Sequence, residues 1–175
     1  MATIKLVLSY DGTDYHGWQR QPNGRSLQEV LENALGTITG EPVHAQASGR
    51  TDAGVHAIGQ VVHFRTPSAH APETWVRALN AHLPDDCVVR AAEEAGDDFH
   101  ACYSVRRKLY RYVLCDAPTP DPFLRRYCWH TKFRLDAPAM HRAAQCLLGT
   151  HDFHSFETEW PNRLTSVSKG SDGRI

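Results

Sequence analysis

Residues 48–57 read Ser-Gly-Arg-Thr-Asp-Ala-Gly-Val-His-Ala and combine an acid, a base, a hydroxyl group and two glycines in one short segment. A carboxylate such as that of Asp52 can act as a nucleophile or as a general base. Glycines let the backbone turn and let a ligand approach closely. A salt bridge between Arg50 and Asp52 is the alternative explanation, but the unusual composition of the whole segment favours a functional loop.

The elements that position this segment can be predicted from hydrophobic periodicity. Ile4, Leu6 and Leu8 alternate with Lys5 and Ser9, which predicts a strand that ends near Tyr10. Ser26 and Glu29 match the capping-box pattern, and the helix that they start is predicted to end at Gly40. The other predicted elements are strands over residues 43–48, 61–64 and 87–91 and a helix that begins at Pro72.

This order of elements, β-α-β-β-α-β, predicts a ferredoxin-like unit in an α+β protein. Such a unit has an antiparallel sheet with both helices on one face. Residues 48–57 then connect the second and third strands, beside the open face of the sheet. RNA-recognition modules of this topology bind RNA on that face, although the topology alone does not establish function.

A second unit is predicted to begin after residue 104, which divides the chain into domains 1–104 and 105–175. Alternating residues 110–114 predict a strand, and Asp136 is expected to cap a helix that Gly149 closes. The second unit therefore starts with a strand and a helix, like the first, but has too few further strands to complete a sheet.

The charge is unevenly distributed although the net charge is only −1. Residues 104–134 contain eight basic and two acidic side chains, and residues 84–98 contain six acidic side chains and one basic. One strongly basic face for nucleic acid is therefore compatible with a neutral whole. A solvated surface of mixed charge is the alternative interpretation.

The cysteine pattern and the apolar segments indicate the compartment. The five cysteines are Cys87, Cys102, Cys115, Cys128 and Cys146. Their odd number and wide spacing fit neither a disulfide framework nor a zinc knuckle, so we expect free thiols in a reducing compartment. The apolar runs are far shorter than the roughly 20 residues that span a bilayer. The first residues lack the features of a signal peptide, so we expect a cytoplasmic protein.

Residues 48–57 resemble the signature of the A-type tRNA pseudouridine synthases, in which the aspartate of the Arg-Thr-Asp-Ala-Gly-Val-His string is catalytic. Further segments resemble the same family in collinear order, namely residues 10–13, 17–21, 59–64, 98–101, 108–112 and 140–149. The chain has Cys102 and Tyr103 where the family usually has Arg and Phe. The resemblance implies the pseudouridine synthase fold, in an incomplete form.

The resemblance also implies an activity and roles for individual residues. The expected reaction is isomerisation of uridine to pseudouridine in the anticodon stem-loop of tRNA, with Asp52 as the catalytic carboxylate. Tyr110 is expected to stack on the flipped base, and Arg50 to fill the gap or hold phosphate. No cofactor is expected, because no redox step or external group is needed, and no metal is expected either. The family also implies a homodimer.

The resemblance decays after residue 156, before the part of the family that carries a Met-Val-Arg-type helix. The chain therefore looks shortened, and a non-catalytic RNA-binding remnant is the alternative function. A glycosidic-bond hydrolase that uses Asp52 is a third possibility, but it would usually need a second acid, and the signature contains none.

Two further signals are weaker. Tyr15, Trp18 and Arg20 lie in a long loop and could clamp RNA by stacking and charge, or the loop could pack on its own domain. The two histidines of residues 151–154 are close enough to suggest a metal site, but further ligands are not identifiable.

Overall fold

The structure is a computed structural model that describes residues 1–156. The chain forms two compact units, Met1–Arg111 and Tyr112–Ile175, and the second is described as far as Phe156. The decay of the family resemblance after residue 156 lies outside the described residues. The predicted division into domains 1–104 and 105–175 stays a prediction.

The first unit contains four strands and two helices in the predicted order. They are β1 (Ala2–Tyr10), α1 (Leu27–Thr39), β2 (Gln46–Ala47), β3 (Ala57–Thr66), α2 (Pro72–His82) and β4 (Cys87–Ala95). The sheet order is β2-β3-β1-β4, and every neighbouring pair is antiparallel. This is the ferredoxin-like βαββαβ arrangement, and the predicted α+β fold class is confirmed.

The core of the first unit lies between the sheet and its two helices. Alternate residues of β1 point to the helices, so Leu6 and Leu8 are fully buried. Helix α1 contributes Leu31 to the same core. Phe64 of β3 meets Trp75 of α2 edge to face, with ring centroids 5.1 Å apart. Burying each such large apolar side chain contributes roughly 1.5–3 kcal/mol.

Local signals set both ends of α1. The Ser26 hydroxyl accepts a hydrogen bond from the backbone N–H of Glu29 at 3.3 Å, which satisfies one of the unpaired N–H groups of the first turn. The Glu29 carboxylate itself lies 3.9 Å from the Arg20 guanidinium. At the other end, Gly40 adopts a left-handed conformation with φ of 75°, so the helix ends where the sequence predicts.

Strand β2 is shorter than the predicted span of residues 43–48, and the side chains of α1 explain the difference. The backbone of Ala45 bonds to helix side chains rather than to a neighbouring strand. Its N–H donates to Glu32 Oε1 at 3.1 Å, and its carbonyl accepts from Gln28 Nε2 at 3.0 Å. Only Gln46–Ala47 is left to pair with β3.

The second unit begins with two short strands, β5 (Leu114–Cys115) and β6 (Trp129–His130), which pair in parallel. Helix α3 (Ala137–Ala144) follows, and Asp136 caps it by accepting a hydrogen bond from Ala139 N–H at 2.9 Å. The predicted strand over residues 110–114 is reduced to its last residue. The side chain of Tyr110, the first residue of the predicted strand, is 75% exposed and does not pack against a sheet.

No helix in the described part of the chain is long and apolar enough to cross a membrane. Within residues 1–156, His, Cys, Asp and Glu side chains form no group of three or more that could hold a metal ion. All five cysteines are free thiols.

Candidate active site

Asp52 lies in the connection between β2 and β3, residues 48–56, which we call the signature loop. Both Asp52 and Arg50 are exposed. The loop leaves the sheet through a hydrogen bond from Ser48 N–H to the Val61 carbonyl at 2.8 Å. The structure thus presents two of the predicted site residues to solvent on one loop.

A second loop, residues 11–25, holds the backbone on both sides of Asp52, and we call it the first loop. Before Asp52, the Thr51 carbonyl accepts a hydrogen bond from Trp18 N–H at 2.9 Å. After Asp52, Gly54 N–H donates to the Tyr15 carbonyl at 3.2 Å. Within the signature loop, Val55 N–H donates to the Asp52 carbonyl at 3.2 Å and closes a turn. The exposed carboxylate therefore stands on a fixed backbone.

Two glycines allow this close approach of the loops. A Cβ atom on Gly12 would lie 2.0 Å from the Val55 carbonyl oxygen. A Cβ atom on Gly17, which has φ of +86°, would lie 2.5 Å from the Thr51 carbonyl oxygen. Neither space admits a side chain, so glycine is required at both positions for steric reasons.

His56 joins the far end of the signature loop to the first loop. Its Nδ1 accepts a hydrogen bond from Gly12 N–H at 3.1 Å and lies 2.9 Å from Asp11 Oδ1. His56 therefore links the signature loop to two residues of the first loop, Asp11 and Gly12.

Polar side chains of β1 and β3 form hydrogen bonds with the signature loop. The Tyr10 hydroxyl and Thr51 Oγ1 are 2.9 Å apart and share a hydrogen bond. Ser48 Oγ donates to Gln60 Oε1 at 2.9 Å, and Gln60 Nε2 donates to the Gly49 carbonyl. Burial raises the pKa of Tyr10, so the phenol stays neutral at physiological pH.

The aromatic residues of the first loop pack inward. Tyr15 and Trp18 are each only 2% exposed, so the interpretation of this loop as packed on its own domain is correct for both rings. The Tyr15 hydroxyl donates to the Asp86 carboxylate, and burial together with that carboxylate raises the pKa of Tyr15. The Arg20 guanidinium lies 3.6 Å from Glu32 of α1.

A basic segment passes the signature loop. Lys108 Nζ lies so close to Gly49 that a Cβ there would be 3.1 Å from it. Tyr110 follows two residues later, with its ring 75% exposed. The structure thus brings the lysine of the basic run to the loop that carries Asp52 and Arg50, and it leaves Tyr110 open to solvent.

Residues 97–104 cover part of the sheet face opposite the helices. Ala101 N–H donates to His63 Nδ1 at 3.2 Å, and the rings of His63 and His100 are 4.7 Å apart. The pKa of His63 is lowered, first by burial and then by His100. Phe99, His100 and Ala101 therefore pack on His63. The sequence did not indicate this contact, because β3 has the pattern of an ordinary alternating strand.

Two cavities, of about 420 and 810 Å³, lie along Arg20 and α1. Asp52 lines neither of them. The backbone hydrogen bonds on both sides of Asp52 identify the candidate site in this unit.

Comparison with known proteins finds a family match that includes the signature loop and the first loop. Residues 6–104 match a family described as tRNA pseudouridine synthase. Proteins named tRNA pseudouridine synthase A are similar over most of the chain. The one from Thermoanaerobacter sp. (strain X514) is 42% identical over 95% of this chain and 68% of its own length. The one from Exiguobacterium sp. (strain ATCC BAA-1283 / AT1b) is 50% identical over 89% of this chain and 63% of its own length.

A third relative, from Shigella boydii serotype 4 (strain Sb227), carries the same name and is 46% identical over 91% of this chain and 62% of its own length. The chain spans between 60% and 70% of the curated relatives that it matches. Because both the family match and these identities extend over most of the first unit or beyond, the chain belongs to the tRNA pseudouridine synthase family.

Proposed function

We propose that the protein containing this chain is an isomerase that converts uridine to pseudouridine in the anticodon stem-loop of tRNA, with Asp52 as its catalytic carboxylate. The observation that carries the proposal is the exposed Asp52 side chain on a backbone held from both sides by the first loop. Enzymes gain rate by holding a reacting group in position before the substrate arrives.

The proposed chemistry needs a single carboxylate. The N-glycosidic bond of a uridine breaks, the base turns, and a bond forms from the sugar to C5, from which a proton leaves while N1 gains one. Asp52 acts either as a nucleophile on the anomeric carbon or as a base at the sugar. Both routes balance without an oxidant or a cofactor.

Access to the reacting bond requires the base to leave its stack. In the proposal, Tyr110 stacks on the flipped uracil, as exposed aromatic rings do on unstacked bases. Arg50 either occupies the space that the base leaves or holds a phosphate. The proximity of Lys108 to Gly49 supports a phosphate path that runs beside the signature loop.

The decisive experiment measures tritium release from C5-labelled uridine in tRNA, together with filter binding of the same tRNA. Asp52→Asn should abolish release and leave binding nearly intact, because the amide keeps the shape but loses charge and basicity. Asp14→Asn is the matched control, since Asp14 is an exposed carboxylate in the neighbouring first loop. Wild-type turnover by Asp52→Asn would refute the assignment.

The same assay tests Tyr110. Tyr110→Phe should keep binding, with slower release if the hydroxyl takes part in proton transfer. Tyr110→Ala should weaken binding or turnover by about 1–3 kcal/mol, the range for stacking of one base. Tyr112→Ala, which removes another exposed ring two residues away, is the control. Equal effects of the two alanine substitutions would contradict a specific role for Tyr110.

An RNA-binding remnant is the second candidate, favoured by the chain spanning only part of its relatives' length. It predicts tRNA binding without tritium release. The family also leads us to propose a homodimer and a cytoplasmic location. Sedimentation of the complete protein and its cell fractionation would test these two proposals.

A further inference from the structure

Tyr10 is the last residue of β1, and its hydroxyl lies directly under the signature loop. The side chain is only 4% exposed, and its ring packs 6.5 Å from that of Trp18. The hydroxyl and Thr51 Oγ1 are 2.9 Å apart and share a hydrogen bond. A rigid core residue thus reaches the residue that precedes Asp52.

Thr51 is held at two points. Its side chain bonds Tyr10, and its carbonyl accepts from Trp18 N–H at 2.9 Å. That carbonyl belongs to the same planar peptide unit as the Asp52 nitrogen and α-carbon. Fixing both the side chain and the carbonyl of Thr51 therefore fixes the direction in which Asp52 leaves the loop.

The network under the loop is partly buried. Gln60 is 8% exposed and bonds both Ser48 Oγ and the Gly49 carbonyl. Buried polar groups that are fully paired specify one arrangement, because a broken pair leaves a costly unsatisfied group. The loop consequently has one favoured position relative to β1 and β3.

We propose that Tyr10 is a positioning residue that holds Asp52 in its reactive orientation by acting through Thr51. This inference rests on the proposed function of Asp52. Tyr10 itself touches no reacting atom, so its loss should lower kcat and leave the KM for tRNA unchanged. Displacing a reacting group slightly can reduce the rate by one to two orders of magnitude, so we expect about a ten-fold or larger loss of kcat in Tyr10→Phe.

Thr66→Val is the matched control for losing a buried hydroxyl. Thr66 is fully buried at the other end of the sheet, where it pairs with Ala2, and its hydroxyl accepts from Ser68 N–H at 3.1 Å. It should lower stability without changing kcat below the melting transition. If Tyr10→Phe behaves in the same way, the role of Tyr10 is only structural and the proposal fails.

A double-mutant cycle separates action through Thr51 from general destabilisation. Tyr10→Phe and Thr51→Val each remove one side of the same hydrogen bond, so the double variant should lose no more kcat than the more affected single variant. Thr51→Ser retains the hydroxyl and should restore most of the rate. Fully additive losses in the double variant would overturn the proposal.

Amide hydrogen exchange supplies a readout that does not depend on turnover. Val55 N–H donates to the Asp52 carbonyl, so its exchange rate reports the order of the turn that carries Asp52. Tyr10→Phe should accelerate Val55 exchange, and Thr66→Val should not. An unchanged Val55 exchange rate in Tyr10→Phe would overturn the positioning role. If Val55 exchange is accelerated in Tyr10→Phe but the wild-type protein releases no tritium, the result would count against the proposed function alone.

Discussion

Gly17 lies directly against the carbonyl of Thr51, at a separation that excludes even a methyl group. A Cβ at Gly17 would be 2.5 Å from the Thr51 oxygen and 3.1 Å from the Asp52 carbonyl carbon. The next residue, Trp18, donates its N–H to the same Thr51 carbonyl at 2.9 Å. The first loop therefore contacts the backbone, rather than the side chains, of Thr51 and Asp52.

Gly17→Ala should destabilise the protein and reduce turnover together. Alanine in the left-handed region costs about 1–2 kcal/mol, and the clash with Thr51 should add about 1–3 kcal/mol of overpacking. Gly40→Ala is the control, because Gly40 also has a positive φ but nothing lies within 4 Å of its added Cβ. Urea unfolding and tritium release measure the two effects. Equal destabilisation by both substitutions would show that the clash is relieved at no cost.

Lys108→Ala should weaken the binding of tRNA whatever its nucleotide sequence, and it should make the binding affinity less dependent on salt concentration. A lysine that contacts a phosphate releases a counterion, so its loss should lower the slope of log K against log salt concentration by about 1. Arg77→Ala removes an exposed cation from α2 and is the control. The measurement is filter binding across a range of salt concentrations. An unchanged slope in Lys108→Ala would remove Lys108 from the phosphate path.

Stability should fall as the pH drops below the ordinary pKa of histidine, and His63 should account for part of the fall. Burial lowers the pKa of His63 in the folded protein, and His100, Arg65 and His44 lower it further. Between the folded pKa and the unfolded value of about 6.5, the unfolded chain binds more protons. The stabilising contribution is therefore complete above about pH 6.5 and is lost as the pH falls through the lowered pKa.

His63→Gln should flatten the dependence of the unfolding free energy on pH, measured by urea denaturation. His82→Gln is the control, since His82 is exposed at the end of α2. The prediction fails if His63→Gln retains the pH dependence of the wild type.

The sequence predicts elements best where the signal is local. Ser26 and Gly40 flank α1 in the structure as the capping patterns indicate, and the alternation in β1 is confirmed by its buried Leu6 and Leu8. The length of β2 was not predictable, because it depends on Gln28 and Glu32 of another element bonding the backbone of Ala45. Hydrogen bonding of helix side chains to the backbone of another segment does not alter the hydrophobic periodicity of the sequence.

Some residues of the candidate site were predictable from the sequence, and others were not. The signature identifies Asp52 and Arg50 as a contiguous string, and the roles of both stay predictions. Tyr10 escaped notice because a tyrosine at the end of a strand has the pattern of an ordinary core residue. The inward packing of Trp18 was also hidden, since a loop without periodicity does not distinguish a buried ring from an exposed one.

The central position of β1 has a consequence for the order in which the protein is made. β1 precedes the other strands of this unit along the chain, yet it pairs with both β3 and β4, and its most distant pairing joins Thr3 to Ala95. The nascent chain must therefore carry an apolar strand with two unpaired edges until most of the first unit has been translated. Pairings so distant along the chain slow folding, so a ribosome that stalls before Ala95 should leave an aggregation-prone polypeptide rather than a smaller folded domain.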